Sequence, residues 1–366
     1  MKLVEVVKKI KETLPLELVA DQDNVGLIIG DYDDECGTTI AAYELNNGVI
    51  EEAVGSGSNL VVTYHTPLYR TTKSFTSSRL RPDPLFTAAR SRINVFAVHT
   101  ALDIPMNGLN FDLAARLGLK NVEMLSPLPA TLNKIVVFVP LDHLEKVRAA
   151  MWRNGAGKIG KYADCSFAVE GEGSFLPGEG SSPYIGSPGK PEQASESRLE
   201  VVAEKAILGQ VIEAMLKAHP YEEVAYDIYP LQNDSPNYGF GAIGELAEAQ
   251  EVTRFLDRVK KVLVIPSIRL SHLPDSKVRK VALCAGSGMP FFKYAVRDGA
   301  DIFITGDVKH HDFREARSGR TILADATHRG TERFAAELLQ GILKRTFEDR
   351  VVVNLSKQEH DTAVNY

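Results

Sequence analysis

The chain has 366 residues, 44% apolar and 25% charged, a composition that suits a globular protein too long for one ordinary core. Its formal charge of −6 and pI near 5.9 leave no basic excess to neutralise phosphates, which argues against general nucleic-acid affinity. Cys36, Cys165 and Cys284 lie far apart without metal-type spacing, so they read as reduced thiols of a cytoplasmic protein.

The opening "MKLVEVVKKIKETLP" is an amphipathic helix pattern with Leu3, Val6, Val7 and Ile10 on its apolar face. It lacks the long apolar run of a signal peptide, and no stretch has the length to span a membrane. Short β-branched runs follow, "TTIAAY", "NLVVTYH" and "NVFAVHT", alternating with helical patterns such as "DPLFTAARSR" and "FDLAARLGL". The alternation resumes late in the chain with "KVALCA", "DIFITGD" and "TILADA". It predicts an α/β fold of two lobes, 1–131 and 233–366, whose strands are covered by helices on their faces. "GSNLVVTYH" resembles "GADIFITGD", and "RINVFAVHT" resembles "RTILADATH". Internal duplication and generic α/β patterning account for that echo equally well.

Residues 132–232 read differently. Strand, helix, strand, strand, helix, strand is the order of "KIVVFVP", "DHLEKVRAAMWRN", "DCSFAVEG", "LEVVAE", "GQVIEAMLKAH" and "EVAYDIYPL". This is the order of a ferredoxin-like α+β unit, inserted into the larger domain. Within it, "GEGSFLPGEGSSPYIGSPGKPEQ" has the Gly, Ser and Pro content of a long mobile loop. The Tyr- and acid-rich "AHPYEEVAYDIYPL" suits a surface that docks another chain better than it suits catalysis.

Most of the nine histidines sit just past strands and beside carboxylates, where open α/β sheets place ligands. "NLVVT" runs into Tyr64-His65, and "NVFAV" into His99 with Asp103 one turn on. "DIFIT" runs into Asp307, then His310 and His311. "TILADA" delivers His328 and Glu332, which share one helix face. A lone histidine after a strand is usually a turn residue, and Asp307 alone would read as a helix cap. Repetition at equivalent strand ends points instead to a site for Zn, Mn, Fe or a related divalent ion. "AGSGMP" offers backbone N–H groups for an anion or is simply a tight turn, and no nucleophile elbow is present.

Five motifs, "DNVGLIIG", "TYHTPLY", "VHTALDIPMNGLNFDLAARLGL", "ITGDVKHHDFREA" and "DATHRGTERFAAELL", together resemble the Nif-three-like (Ngg-interacting factor three) family. Its members commonly carry the name GTP cyclohydrolase I type 2 homologue. The segment with "GKIGKYADCSF" is similar to the PII/CutA-like domain inserted in long bacterial members. The resemblance implies a two-lobed α/β core holding two divalent metal ions per chain, assembled as a homohexameric toroid, a trimer of dimers. It assigns the ligands to His65, Asp103, His328 and Glu332, with Glu332 bridging both ions and His99 close by. Where many relatives have a pair of histidines, this chain has Tyr64-His65. A neutral phenol is a poor ligand, so one metal position is expected to be weaker. Two functions stay open: a metal-dependent hydrolase of a nucleotide or similar small molecule, with His99 or His310 carrying protons, or a non-catalytic metal-binding ring that docks partners.

Overall fold

The computed structural model describes residues 1–69, 76, 83–233 and 235–358. Helix α1 (Leu3–Thr13) buries Leu3, Val6, Val7 and Ile10, the face expected from their spacing. The chain then alternates through β1 (Gly26–Ile29), β2 (Thr38–Ala42), α2 (Asn47–Gly55), β3 (Leu60–Thr63), α3 (Pro84–Arg90) and β4 (Asn94–Ala97). The side chains of Asn46 and Asp83 accept from the first turns of α2 and α3, and Pro84 opens α3, so both helix starts are written in local chemistry. Short α4 (Thr100–Asp103), α5 (Leu109–Arg116) and β5 (Lys120–Pro127) complete this stretch.

An inserted stretch follows: β6 (Leu132–Pro140), α6 (Leu144–Arg153), β7 (Phe167–Phe175), β8 (Glu192–Glu204), α7 (Leu208–Ala218) and β9 (Tyr226–Leu231). The chain returns through β10 (Gly239–Glu251), α8 (Val252–Leu263), β11 (Arg269–Leu270), β12 (Lys277–Leu283) and α9 (Phe292–Arg297). It ends with β13 (Ile302–Thr305), α10 (His310–Ala316), β14 (Ile322–Asp325), α11 (His328–Glu332), α12 (Ala335–Phe347) and β15 (Val352–Leu355). No helix among the described residues is long and apolar enough to cross a membrane.

By packing, the chain divides into Met1–Pro127 with Pro236–Tyr366, and Leu128–Ser235. The first unit holds two sheets, in the orders β1-β4-β3-β2-β15 and β11-β14-β13-β12-β10-β5. In the first, β2, β3 and β4 are parallel and β1 is antiparallel to β4. In the second, β12, β13 and β14 are parallel and β11 is antiparallel to β14. The strands that echo each other in sequence thus hold matching positions in the two sheets. Each sheet also takes a strand from the other flank of the insertion, since β15 pairs with β2 and β5 pairs with β10.

Both sheets are buried on both faces, which is why their strands are continuous apolar runs. Helix α8 buries Val252, Phe255, Leu256, Val259 and Leu263, a helical stripe laid on the second sheet, while α12 buries Leu339, Ile342, Leu343 and Phe347 on the first. Parallel strands all carry their C-terminal ends to one side of a sheet. The ends of β3, β4, β13 and β14 are where the candidate site forms.

The inserted unit is an antiparallel sheet in the order β7-β8-β6-β9. Val147, Met151, Val211 and Met215 of α6 and α7 pack with Ile135, Val137, Leu199 and Val201 of the sheet in a separate core. The six elements match those read from the sequence. One expectation is corrected: part of the Gly/Ser/Pro-rich stretch is strand, because the β7–β8 ladder continues to Phe175 opposite Glu192. Backbone pairing there overrides the poor strand propensity of glycine and serine.

Candidate metal centre

His65 follows β3, and its backbone N–H donates to the Tyr43 carbonyl at 2.8 Å, which fixes where the imidazole leaves the sheet. His328 opens α11, whose N-cap Thr327 accepts from the Gly330 N–H. The helix then presents His328 and Glu332 on one face. His65 Nε2 lies 3.2 Å from Glu332 Oε2, and His328 Nε2 lies 3.0 Å from the same oxygen. The donor atoms of His65, His328 and Glu332 are all within 4.8 Å of one another, a group that can hold a metal ion.

Three backbones at this edge are strained. His99, Asp307 and Thr327, each just past a parallel strand end, have φ of 37°, 55° and 64°. Left-handed backbone in a non-glycine residue costs roughly 1–3 kcal/mol and concentrates at functional sites. Two glycines answer to crowding here. Gly286, with φ of 66°, has no room for a Cβ beside the Glu332 carboxylate. A Cβ on Gly306 would fall 2.5 Å from the backbone nitrogen of His328. Gly306→Ala is therefore expected to cost about 2 kcal/mol or more and to dislodge His328. Chemical denaturation together with metal titration checks this; an unchanged midpoint and affinity would contradict it.

Glu332 is 3% exposed and accepts from two phenols, Tyr43 at 2.7 Å and Tyr64 at 3.2 Å. Arg329 lies over the Tyr43 ring at 3.8 Å. Burial opposes ionisation of Glu332, but hydrogen bonds and charge from His328 and His65 outweigh it and hold the carboxyl down at about 2. His328 shows the reciprocal effect: burial disfavours its charge, yet Glu332 and Asp307 raise it to about 9. Its Nδ1 is 2.7 Å from Asp307 Oδ2, and Ser287 donates to the same oxygen at 2.6 Å. The "AGSGMP" stretch is thus a strand-to-helix turn that supplies Ser287 and Gly286 to the centre.

Asp103 lines the same cavity but falls outside the group of three. Tyr64 Oη donates to its Oδ1 at 2.9 Å, so one phenol, 1% exposed, lies within hydrogen-bond reach of both carboxylates. Burial first, then the Glu332 charge, pushes Asp103 up to about 7. Burial, then Asp103 and Glu332, pushes the Tyr64 phenol well above its ordinary range, so it stays protonated. His99 also lines the cavity, with Nδ1 2.7 Å from Asp23 Oδ1, and Thr100 donates to the other Asp23 oxygen. Burial lowers the His99 pKa, but the Asp23 hydrogen bond and charge raise it further than burial lowers it. His310 is placed elsewhere: it is exposed at the start of α10, paired edge-on with His311 at 5.5 Å, and does not line the cavity.

Asp23 and Tyr43 complete the network without having been singled out from sequence, while Asp307, counted there among the carboxylates at strand ends, holds His328. Asp23 stands inside the "DNVGLIIG" motif, the one available signal for it. The cavity measures about 560 Å³, and the stacked pair Phe240 and Phe291, 4.7 Å apart, forms part of its wall.

A donor set of two imidazoles and a buried carboxylate fits a divalent ion, and two close carboxylates repel until a cation stands near them. Such an ion, held by His65, His328 and Glu332, would displace the His328 proton and part of that of Asp103. At pH 7 about one proton or more is expected to leave, with affinity rising as pH rises toward 9. Titration calorimetry in two buffers of different ionisation heat measures this, and equal heats would contradict it.

Fold and centre together define an α/β protein with a His/carboxylate group suited to metal. The chain matches the model of the Duf34/NIF3 (NGG1p interacting factor 3) family over residues 1–362, and it belongs to that family. It is 34% identical to a GTP cyclohydrolase 1 type 2 homolog of Halalkalibacterium halodurans, covering 96% of this chain and 92% of that one. It is 33% identical to the protein of that name in Bacillus subtilis, covering 98% and 96%. The crystal structure of a Bacillus cereus protein related to NIF3 superposes with a TM-score of 0.87 at 32% identity, covering 100% and 99%. A Staphylococcus aureus protein structure does so with a TM-score of 0.74 at 25% identity, again over 100% and 99%.

Proposed function

We propose that this protein binds divalent metal at His65, His328 and Glu332 and acts as a metal-dependent hydrolase on a nucleotide or similar small molecule. The observation that carries the reading is the convergence of those three donor groups, from opposite ends of the chain, at the edge of a cavity. A bound divalent ion would supply Lewis-acid polarisation and activation of water at neutral pH. The rest falls to the chain. His99, oriented by Asp23, is the proton carrier, a role the exposed His310 does not fill. Phe240 and Phe291 offer a stacking face for a planar base. The described lining contains no lysine or arginine, so an anionic group meets the metal rather than a side-chain cation.

In the same proposal Asp103 and Glu332 form a second, weaker position for a divalent ion, weakened because the Tyr64 phenol occupies both carboxylates. The inserted unit is read as a ferredoxin-like, PII/CutA-like domain, supported by its antiparallel order with helices after its first and third strands. The assembly proposed is a homohexamer, checked by light scattering. The names of the curated relatives direct the first assay to GTP. Metal-loaded protein is to be tested against GTP, other nucleotides and phosphoesters beside a His65→Ala/Glu332→Gln double variant. Turnover confined to the wild type supports the hydrolase reading. Equal rates in both proteins overturn it and leave a metal-binding ring without catalysis.

A further inference from the structure

The inserted unit carries a cavity of its own, of about 720 Å³, within the range of small-molecule sites. It lies between the β7–β8 hairpin, the loop of residues 176–191 and the turn from α7 to β9. One wall is aromatic: Tyr221 stands between Phe175 and Tyr184, with ring centroids 6.5 and 6.0 Å away. The wall is fastened in place. The Ser182 N–H donates to Glu222 at 2.9 Å, and the Tyr184 ring meets His143 edge-on at 5.5 Å.

The lining is also strongly acidic. Glu170, Glu172, Glu196, Glu222 and Glu223 face one basic residue, Arg198. Arg198 is already matched, its Nε 3.0 Å from Glu200 and its guanidinium over the Phe138 ring. The Tyr221 hydroxyl donates to Glu196 at 2.8 Å, which sets a carboxylate at the foot of the aromatic wall. Aromatic faces and carboxylates both attract positive charge, and a net-negative lining repels anions.

We propose that this cavity binds a small organic cation, an alkylammonium or guanidinium group on an apolar body. The cationic head lies against Tyr184, Tyr221 and Glu196, and the apolar part runs along Phe175. This site is independent of the metal centre and of the hydrolase reading.

The test is titration of the full-length protein, by calorimetry, with tetramethylammonium, spermidine and phenethylamine. Uncharged 2-phenylethanol and anionic ATP serve as controls. At least one cation is expected to bind saturably, and 2-phenylethanol to bind about tenfold or more weakly than phenethylamine. Tyr184→Ala and Glu196→Gln are each expected to weaken the binding cation about fivefold or more, with thermal midpoints unchanged. Tyr184 is half-exposed, so its removal leaves the unit's core intact. Glu332→Gln is expected to leave cation binding untouched, which separates this site from the metal centre. Absence of binding by all three cations, equal binding of 2-phenylethanol, or binding that survives both variants overturns the proposal.

Discussion

Glu332→Gln is expected to lower divalent-metal affinity by at least about 100-fold, the upper end of what losing a partner outside the ligand set costs. The carboxylate stands at the middle of the centre, one oxygen facing His65, His328 and Tyr43 and the other facing Tyr64. An amide has the same shape, carries no charge, and must turn its NH₂ toward groups that donate. The fold is retained, so competition with a chromogenic chelator reads the metal term alone. Equal affinity in the two proteins would refute the assignment. Acid unfolding gives a second readout. In metal-free wild type the Glu332 pKa is depressed from about 4.5 to about 2, so its stabilisation is present above 4.5 and is lost as pH falls toward 2. The glutamine variant loses that part of the acid dependence.

Tyr64→His is expected to raise the tightly bound metal from one ion per chain to two. As it stands, the enclosed phenol keeps its proton and shares that one hydrogen between Asp103 at 2.9 Å and Glu332 at 3.2 Å, so a neutral hydroxyl sits against two carboxylates that would otherwise face a cation. A neutral imidazole there presents a nitrogen lone pair and joins the two carboxylates as a His/Asp/Glu donor set. The smaller ring leaves space behind it and costs about 1–2 kcal/mol in the metal-free protein. Elemental analysis with native mass spectrometry measures the stoichiometry. The same count in both proteins, whether one or two, would show that Tyr64 does not set it.

The parts of this architecture legible in the sequence are those decided locally. Apolar runs reveal the parallel strands because both faces are covered; His65 and His328 stand out because they lie just past such runs, and Glu332 because it follows His328 by one helical turn. What the sequence hides is decided by distant pairing. Nothing near Lys120 announces that β5 joins β10, and nothing near Val352 announces that β15 joins β2. Tyr43 and Glu332 are 289 residues apart, and Asp23 and His99 are 76 apart, so neither hydrogen bond has a local signature. His310 illustrates the converse. It follows a strand as His328 does, but the Val308–Lys309 segment separates it from that strand's end, and His310 and His311 at the start of α10 are exposed. Proximity to a strand end places a backbone without deciding where its side chain lies.

The span of 268 residues between Tyr64 and Glu332 also has a bearing on synthesis. A chain emerging from the ribosome exposes Tyr64 and His65 long before Glu332 exists, and the inserted unit, with its own core, is free to fold in the interval. On the proposed reading, cation capture by the complete His65–His328–Glu332 set awaits translation of the last part of the chain, and a truncated product lacking it would not hold metal there.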